Sequence, residues 1–170
     1  DQVTQISKLS LFDDLDNEDL EFIAANMRIH QYGKLDTVVS QGDAGSSMFI
    51  LAEGLLEVLI DQEGDQSFKV ADLAPGTFFG EKSLLTGEPR SATIICATDA
   101  IVCEITKSVM SDLFARNAEV AILLSKAVAL RDLENQSAIA NRPEDNNEEA
   151  LAKETDLFLG KLKSFFGLKG

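Results

Sequence analysis

The spacing of apolar positions changes twice along this 170-residue chain. Near the start, Ile6, Leu9, Leu11, Phe12 and Leu15 make a short apolar segment that closes in a Leu-Phe-x-x-Leu turn. Asp16 and Asn17 are both helix N-cap types, and Glu18 and Asp19 behind them suit the positive end of a helix dipole. Leu20, Phe22, Ile23 and Met27 follow at mixed helical spacing, which predicts a helix over 18–27. From Arg28 the period shortens. Segments 28–32, 37–40, 47–52, 55–61 and 67–73 are rich in β-formers. The breaks between them hold Gly33, Gly42-Asp43, Gly45, Glu53-Gly54 and Gly64-Asp65. Ala74-Pro75-Gly76 closes this set, and 91–97 with 100–106 predict a hairpin about Thr98-Asp99. Short strands at regular spacing predict a sandwich or barrel.

The longer period returns after Thr106. Val109, Met110, Leu113 and Phe114 share one face of a predicted helix over 107–117. Val120, Ile122, Leu123, Leu124, Val128, Leu130 and Leu133 form a broader stripe over 118–140. Segment 141–149 holds Pro143, three asparagines and four acids against one base, the composition of a disordered linker. Beyond it, Leu157, Phe158, Leu162, Phe165 and Phe166 recur with Lys161 and Lys163 between them, and 151–170 carries four lysines against two acids. This predicts a basic amphipathic tail helix, able to lie on a membrane surface or dock on a partner helix; packing on the barrel is the plainer alternative. The expected organisation is a domain over 1–140, made of an N-terminal helical segment (1–27), a β-barrel (28–106) and two helices (107–140). An acidic linker (141–150) and the tail helix (151–170) follow.

Composition narrows the function. Hydrophobic residues at 45% and charged residues at 26% are the mix of a soluble globular domain, and no apolar run approaches the ~20 residues of a membrane span. The chain begins with Asp1 and shows no signal-peptide pattern, so it is expected to be excised from something longer. Net charge is −14, which argues against nucleic-acid binding because a duplex binder needs a basic footprint. Cys96 and Cys103 fall on neighbouring predicted strands without a C-x-x-C spacing, and are expected to be reduced, buried and cytosolic. His30 is the single histidine, which excludes a multi-histidine metal site of the cupin kind; it is expected on the first strand, at or near the surface. No paired carboxylates, nucleophile–base pair or metal cluster is visible, so binding is expected, with neither catalysis nor metal.

The candidate chemistry lies in 78–95, F-F-G-E-K-S-L-L-T-G-E-P-R-S-A-T-I-I. Gly80 permits positive φ and keeps a Cβ out of a ligand's way. Residues 81–85 are long enough for one or two helical turns, ended by Gly87 and Pro89, and a helix start offers unpaired N–H groups to an anion. Arg90 would add a full charge and a planar fork of donors, set against an acidic background. Glu81 is the type of acceptor that holds a ribose hydroxyl in other nucleotide sites. The plain alternative is a turn, helix and strand with a surface Glu and Arg.

Phe79-Gly80-Glu81, Leu84-Leu85, Pro89-Arg90, Ala92 and Thr93 stand at the spacings of the phosphate-binding cassette of cyclic nucleotide-binding domains, which this stretch resembles. The resemblance spans about residues 11–133. It implies a mainly β fold: an eight-stranded jelly-roll-like barrel with an N-terminal helix and a C-terminal helix pair, the second being a lid over the base. It implies cAMP or cGMP as ligand, with cAMP favoured. Gly80 and Glu81 would take the ribose 2′-hydroxyl, and Arg90 with the N–H groups of Ser83 and Ser91 the cyclic phosphate, beside Ala92. Lys82, where the family mostly has an aliphatic residue, would be a second phosphate cation or point into solvent. Base contacts are expected among Val58, Ala71, Phe79 and Arg131.

The cassette together with Phe165-Phe166-Gly167-Leu168 is similar to the C-termini of bacterial cyclic nucleotide-gated channels of the mechanosensitive small-conductance superfamily. That resemblance implies the cytoplasmic domain of a bacterial inner-membrane protein. Its pore would precede residue 1, its parent would be homo-oligomeric, and lid closure would be relayed to the pore. The alternatives are a scaffold or oligomerisation domain that has lost its ligand, and a regulatory domain of a non-channel effector.

Overall fold

The computed structural model describes residues 6–7, 9–62, 66–140 and 147–168. A 3-10 turn at Ser10–Phe12 leads into α1 (Asn17–Asn26). Asp16 is its N-cap: the carboxylate accepts the Asp19 N–H at 2.9 Å, and Glu18 and Asp19 stand in the first turn. Eight strands follow: β1 (Arg28–Tyr32), β2 (Thr37–Val39), β3 (Ser47–Glu53), β4 (Leu56–Gln62), β5 (Gln66–Leu73), β6 (Phe78–Phe79), β7 (Thr93–Cys96) and β8 (Ala100–Thr106). Helix α2 (Glu81–Thr86) interrupts them, and α3 (Lys107–Arg116), α4 (Glu119–Ala140) and α5 (Asn147–Phe166) complete the chain.

The strands form two four-stranded antiparallel sheets, ordered β1-β8-β3-β6 and β2-β7-β4-β5. This is the jelly roll with flanking helices that the sequence implied. Between the sheets lies a core of Phe49, Leu51, Leu56, Ile94, Cys96, Ala100 and Val102. On the outer face of the first sheet, Met48, Ile50, Cys103 and Ile105 pack against the helices. Strand β3 is thus covered on both faces, which explains its continuous apolar run. Strand β5 is an edge strand and exposes Phe68 and Val70.

Strand β6 is two residues long, too short to announce itself by alternation, and only the resemblance supplied the eighth strand. Residues 147–150, expected in the acidic linker, are the first turn of α5, where Glu148 and Glu149 complement the helix dipole. The remainder of that expected linker, 141–146, lies outside the described residues.

Of the courses expected for the apolar face of α5, packing on the chain itself is the one observed. Leu162 is fully buried, Phe158 and Phe166 pack on the helical core, and the Phe166 ring meets Phe114 edge-on at 4.9 Å. An apolar stripe of this kind finds the nearest apolar partner, here α2 and α4. Lys161 and Lys163 lie to the sides of the buried stripe, with Lys161 Nζ 3.9 Å from Glu88. Among the described residues no helix is long and apolar enough to cross a membrane.

Candidate functional site

Two glycines shape the cassette. Gly80 precedes α2 with φ of 81° and Gly87 ends it with φ of 74°, both in the left-handed region where a Cβ is costly. The first bond of α2, Leu84 N–H to the Gly80 carbonyl at 3.2 Å, leaves the N–H groups of Glu81, Lys82 and Ser83 outside the helical ladder. Leu84 and Leu85 are fully buried and anchor the short helix. The Ser83 hydroxyl, itself buried, donates to the Glu88 carbonyl at 2.8 Å and ties the turn after α2 back onto the helix.

Arg90 is the buried cation of this region, 8% exposed. Its backbone is clamped on both sides: its N–H donates to the Asp43 carbonyl at 2.9 Å, and its carbonyl accepts the Gly42 N–H at 2.7 Å. The guanidinium donates from Nη1 to the Ser47 carbonyl (2.7 Å) and from Nη2 to Ser47 Oγ (3.3 Å). It lies 5.4 Å from the centre of the Phe49 ring. A Cβ on Gly45 would overlap Arg90 Nε, and one on Gly80 would lie 2.6 Å from Nη1, so glycine on both sides is what admits the fork. Burial pulls the Arg90 pKa down from its usual value, and the nearby Glu104 carboxylate opposes this. Glu104 itself is held below the usual glutamate value. Burial alone would raise it, but hydrogen bonds from Ser47 Oγ (2.7 Å) and His30 Nε2 (2.9 Å) outweigh burial.

These elements enclose a cavity of about 260 Å³, just under the usual ~300–1,000 Å³ of small-molecule sites. Gly80, Glu81, Lys82, Ser83, Arg90, Ser91 and Ala92 all line it, as do Val58, Phe79 and Arg131. Ala71 does not. It is exposed on the edge strand β5, opposite Val58 in the ladder, and of the two only Val58 lines the cavity. Lys82 lines the cavity with a half-exposed side chain, and its Nζ pairs with Asp132 of α4 at 3.1 Å. Arg131 reaches down from α4, 3.4 Å from Glu81 Oε1 and 4.4 Å from the centre of the Phe78 ring. Sequence reading missed Val39, Leu73, Thr77, Phe78, Glu88 and Ile94, which also line the cavity. Val39 and Leu73 were read only as strand residues, and nothing local to them marks a ligand; Ile94 stands within the cassette stretch but was given no contact of its own. Ser47 and Glu104 come from distant strands and carry no motif. Among the described residues no group of three or more His, Cys, Asp or Glu converges as a metal site.

An antiparallel jelly roll with a buried arginine, a glycine-shaped cassette and a covering helix is suited to holding a small anionic molecule. Comparison with known proteins makes this specific. Residues 29–117 match the sequence family described as the cyclic nucleotide-binding domain, and the chain belongs to that family. Human cGMP-dependent protein kinase 2 is 34% identical over 99 residues, which are 58% of this chain and 13% of the kinase. The cAMP-dependent protein kinase regulatory subunit of Mycosarcoma maydis is 36% identical over 87 residues, 51% of this chain and 16% of that protein. The chain therefore matches only a small part of either relative's length. The N-terminal domain of a transcriptional regulator from Streptomyces coelicolor A3(2) superposes with a TM-score of 0.70 at 25% identity, covering 79% of this chain and 94% of that one.

Proposed function

We propose that this domain binds a cyclic nucleotide in the 260 Å³ cavity and responds by tightening α4 over it. The observation that carries the reading is Arg90, a buried fork of donors at the cassette of a chain whose net charge is −14. Glu81 takes the ribose 2′-hydroxyl together with Gly80. Arg90 and the N–H groups of Ser83 and Ser91 take the cyclic phosphate. Val58, Phe79 and Arg131 border the base. The domain binds and does not catalyse. Calorimetric titration with cAMP and cGMP tests this: saturable one-site binding supports it, and no heat with either nucleotide leaves the scaffold reading.

The preferred ligand is cAMP, a proposal that rests on the resemblance to bacterial channel domains. The two kinase relatives named above divide between cGMP and cAMP and do not separate the two. The effector proposed is a channel pore preceding residue 1, in an oligomeric bacterial inner-membrane protein, on the likeness of 83–93 and 165–168. The packing of the Ser10–Phe12 turn and its apolar neighbours against α4 supports a relay in that direction, since a moving lid reaches the N-terminal segment directly. The kinase relatives favour a second reading, a regulatory domain of a kinase system. The sequence preceding residue 1 in the parent protein decides between them.

A further inference from the structure

On the reading that Arg90 binds the cyclic phosphate, we propose that Glu104 is a positioning residue of the phosphate site, acting on Arg90 through the Ser47 hydroxyl. In the β3–β8 ladder Phe49 stands opposite Glu104 and Ser47 opposite Thr106, so Ser47, Phe49 and Glu104 share the inner face of the barrel. Val102 and Ala100 lie on the same face of β8, in the apolar core. A carboxylate here costs desolvation that an aliphatic side chain would avoid, so packing does not explain it.

The hydrogen bonds do. A serine hydroxyl has a single proton. Glu104 Oε2 accepts it at 2.7 Å, which turns the lone pairs of Ser47 Oγ toward Arg90 Nη2 at 3.3 Å. The Ser47 carbonyl holds Nη1 at 2.7 Å. Two acceptors on one residue thus set the plane of the guanidinium and leave the rest of its donors for ligand oxygens. His30 Nε2, 2.9 Å from Glu104 Oε1, keeps the carboxylate from swinging away. The chain of contacts runs from β1 through β8 and β3 to the cassette. Glu104 also favours the charged form of Arg90 against its burial.

The test uses the full chain and cAMP, with folding checked by circular dichroism. Ser47→Ala and Glu104→Ala each weaken binding by roughly ten-fold, and the double variant is no weaker than either, because both break one route. Glu104→Gln retains an acceptor oxygen and recovers binding to within about three-fold of wild type. In an Arg90→Lys background, where the fork is gone, Glu104→Ala adds less than about two-fold. A second readout needs no ligand: the Arg90 side-chain ¹⁵N resonance moves in Ser47→Ala and Glu104→Ala, and returns in Glu104→Gln. Should Glu104→Ala fail to fold, Ser47→Ala, which leaves the His30–Glu104 pair intact, decides alone. Wild-type affinity in a folded Glu104→Ala or Ser47→Ala variant overturns the proposal, as does independent, multiplying loss in the double variant. Absence of binding by the wild type to both cAMP and cGMP is a different failure: it removes the functional reading, and this proposal with it.

Discussion

The Phe165 ring occupies the place that a Cβ on Gly87 would take. Gly87 is the C-cap of the cassette helix, and Phe165 belongs to the last turn of α5, so the tail touches the binding cassette directly. Lys107 Nζ sits 3.8 Å from the centre of the same ring, and Phe166 abuts Phe114, which ties the tail to α3 as well. The tail helix braces the cassette and α3 from outside. Removing it exposes their apolar faces and leaves the cavity-lining side chains of α2 less constrained.

Gly87→Ala is expected to destabilise the domain by ~1–3 kcal/mol, because alanine is strained at a φ of 74° and its methyl meets Phe165. Denaturant unfolding measures this. Phe165→Ala in the same background should recover the steric part only. A single variant as stable as wild type would show that the tail does not seat against the cassette.

Leu162→Ala tests the same seat from the core side. Leu162 is fully buried, so the deletion is expected to cost ~2–5 kcal/mol in the same unfolding assay. A surface-bound or partner-bound tail would lose almost nothing.

For the ligand itself, Arg90→Leu should weaken cAMP binding at least ten-fold while the barrel stays folded, since removing one partner of a buried charge pair costs ~2–5 kcal/mol. Glu81→Ala should weaken it too, and 2′-deoxy-cAMP should be nearly indifferent to that change. Calorimetry reads both. Equal affinity of Arg90→Leu and wild type would remove the phosphate assignment.

Much of the fold was legible because its signals are local. The cap at Asp16 (one of the two candidates), the glycine breaks between strands and the apolar stripe of 107–117 each act over a few residues, and each has its counterpart in the structure. The cassette is also one continuous stretch, so Gly80, Glu81 and Arg90 could be named together. What escaped is non-local. Val58 lines the cavity from an inner strand while Ala71, opposite it, is exposed on the edge strand, and no pattern within either strand states which of them is the edge. The Ser47–Glu104 contact spans 57 positions of sequence. The stripe of α5 announced an apolar partner but could not choose between this chain and a surface or partner outside it.

Cys96 and Cys103 should react slowly with a thiol reagent in the native state. Both are buried, and burial pushes both thiols above their ordinary pKa, which lowers the thiolate fraction. Their labelling should accelerate with denaturant in step with unfolding. Fast labelling of either in buffer would show that the barrel opens locally at β7 or β8.

Acid should weaken the domain partly through Glu104. Its folded pKa lies below the ordinary 4.5, so its contribution to stability is complete above about pH 4.5 and is lost as pH falls through the folded value. The stability gap between wild type and Glu104→Gln should therefore narrow on acidification below that point. Urea titrations at a series of pH values measure the gap; one that is constant or widens toward acid would contradict the sign.

The closure proposed for α4 starts from contacts already present in the free domain. Consecutive residues of the cassette, Glu81 and Lys82, pair with consecutive residues of α4, Arg131 and Asp132, at 3.4 and 3.1 Å. Each pair is partly exposed and is worth only ~0–1 kcal/mol, too little to hold a lid rigidly. A ligand that approaches Glu81 and Arg131 can add to this hold only by the difference in its affinity for the open and closed states, typically ~1–3 kcal/mol. Hydrogen exchange should therefore slow on cAMP addition in two places, 80–92 by direct contact and 128–133 by closure. Asp132→Ala should speed exchange of 128–133 in the free domain and enlarge the slowing that cAMP produces there, because closure then depends more on the ligand. Protection confined to 80–92, in wild type and Asp132→Ala alike, would mean that the nucleotide binds without moving α4.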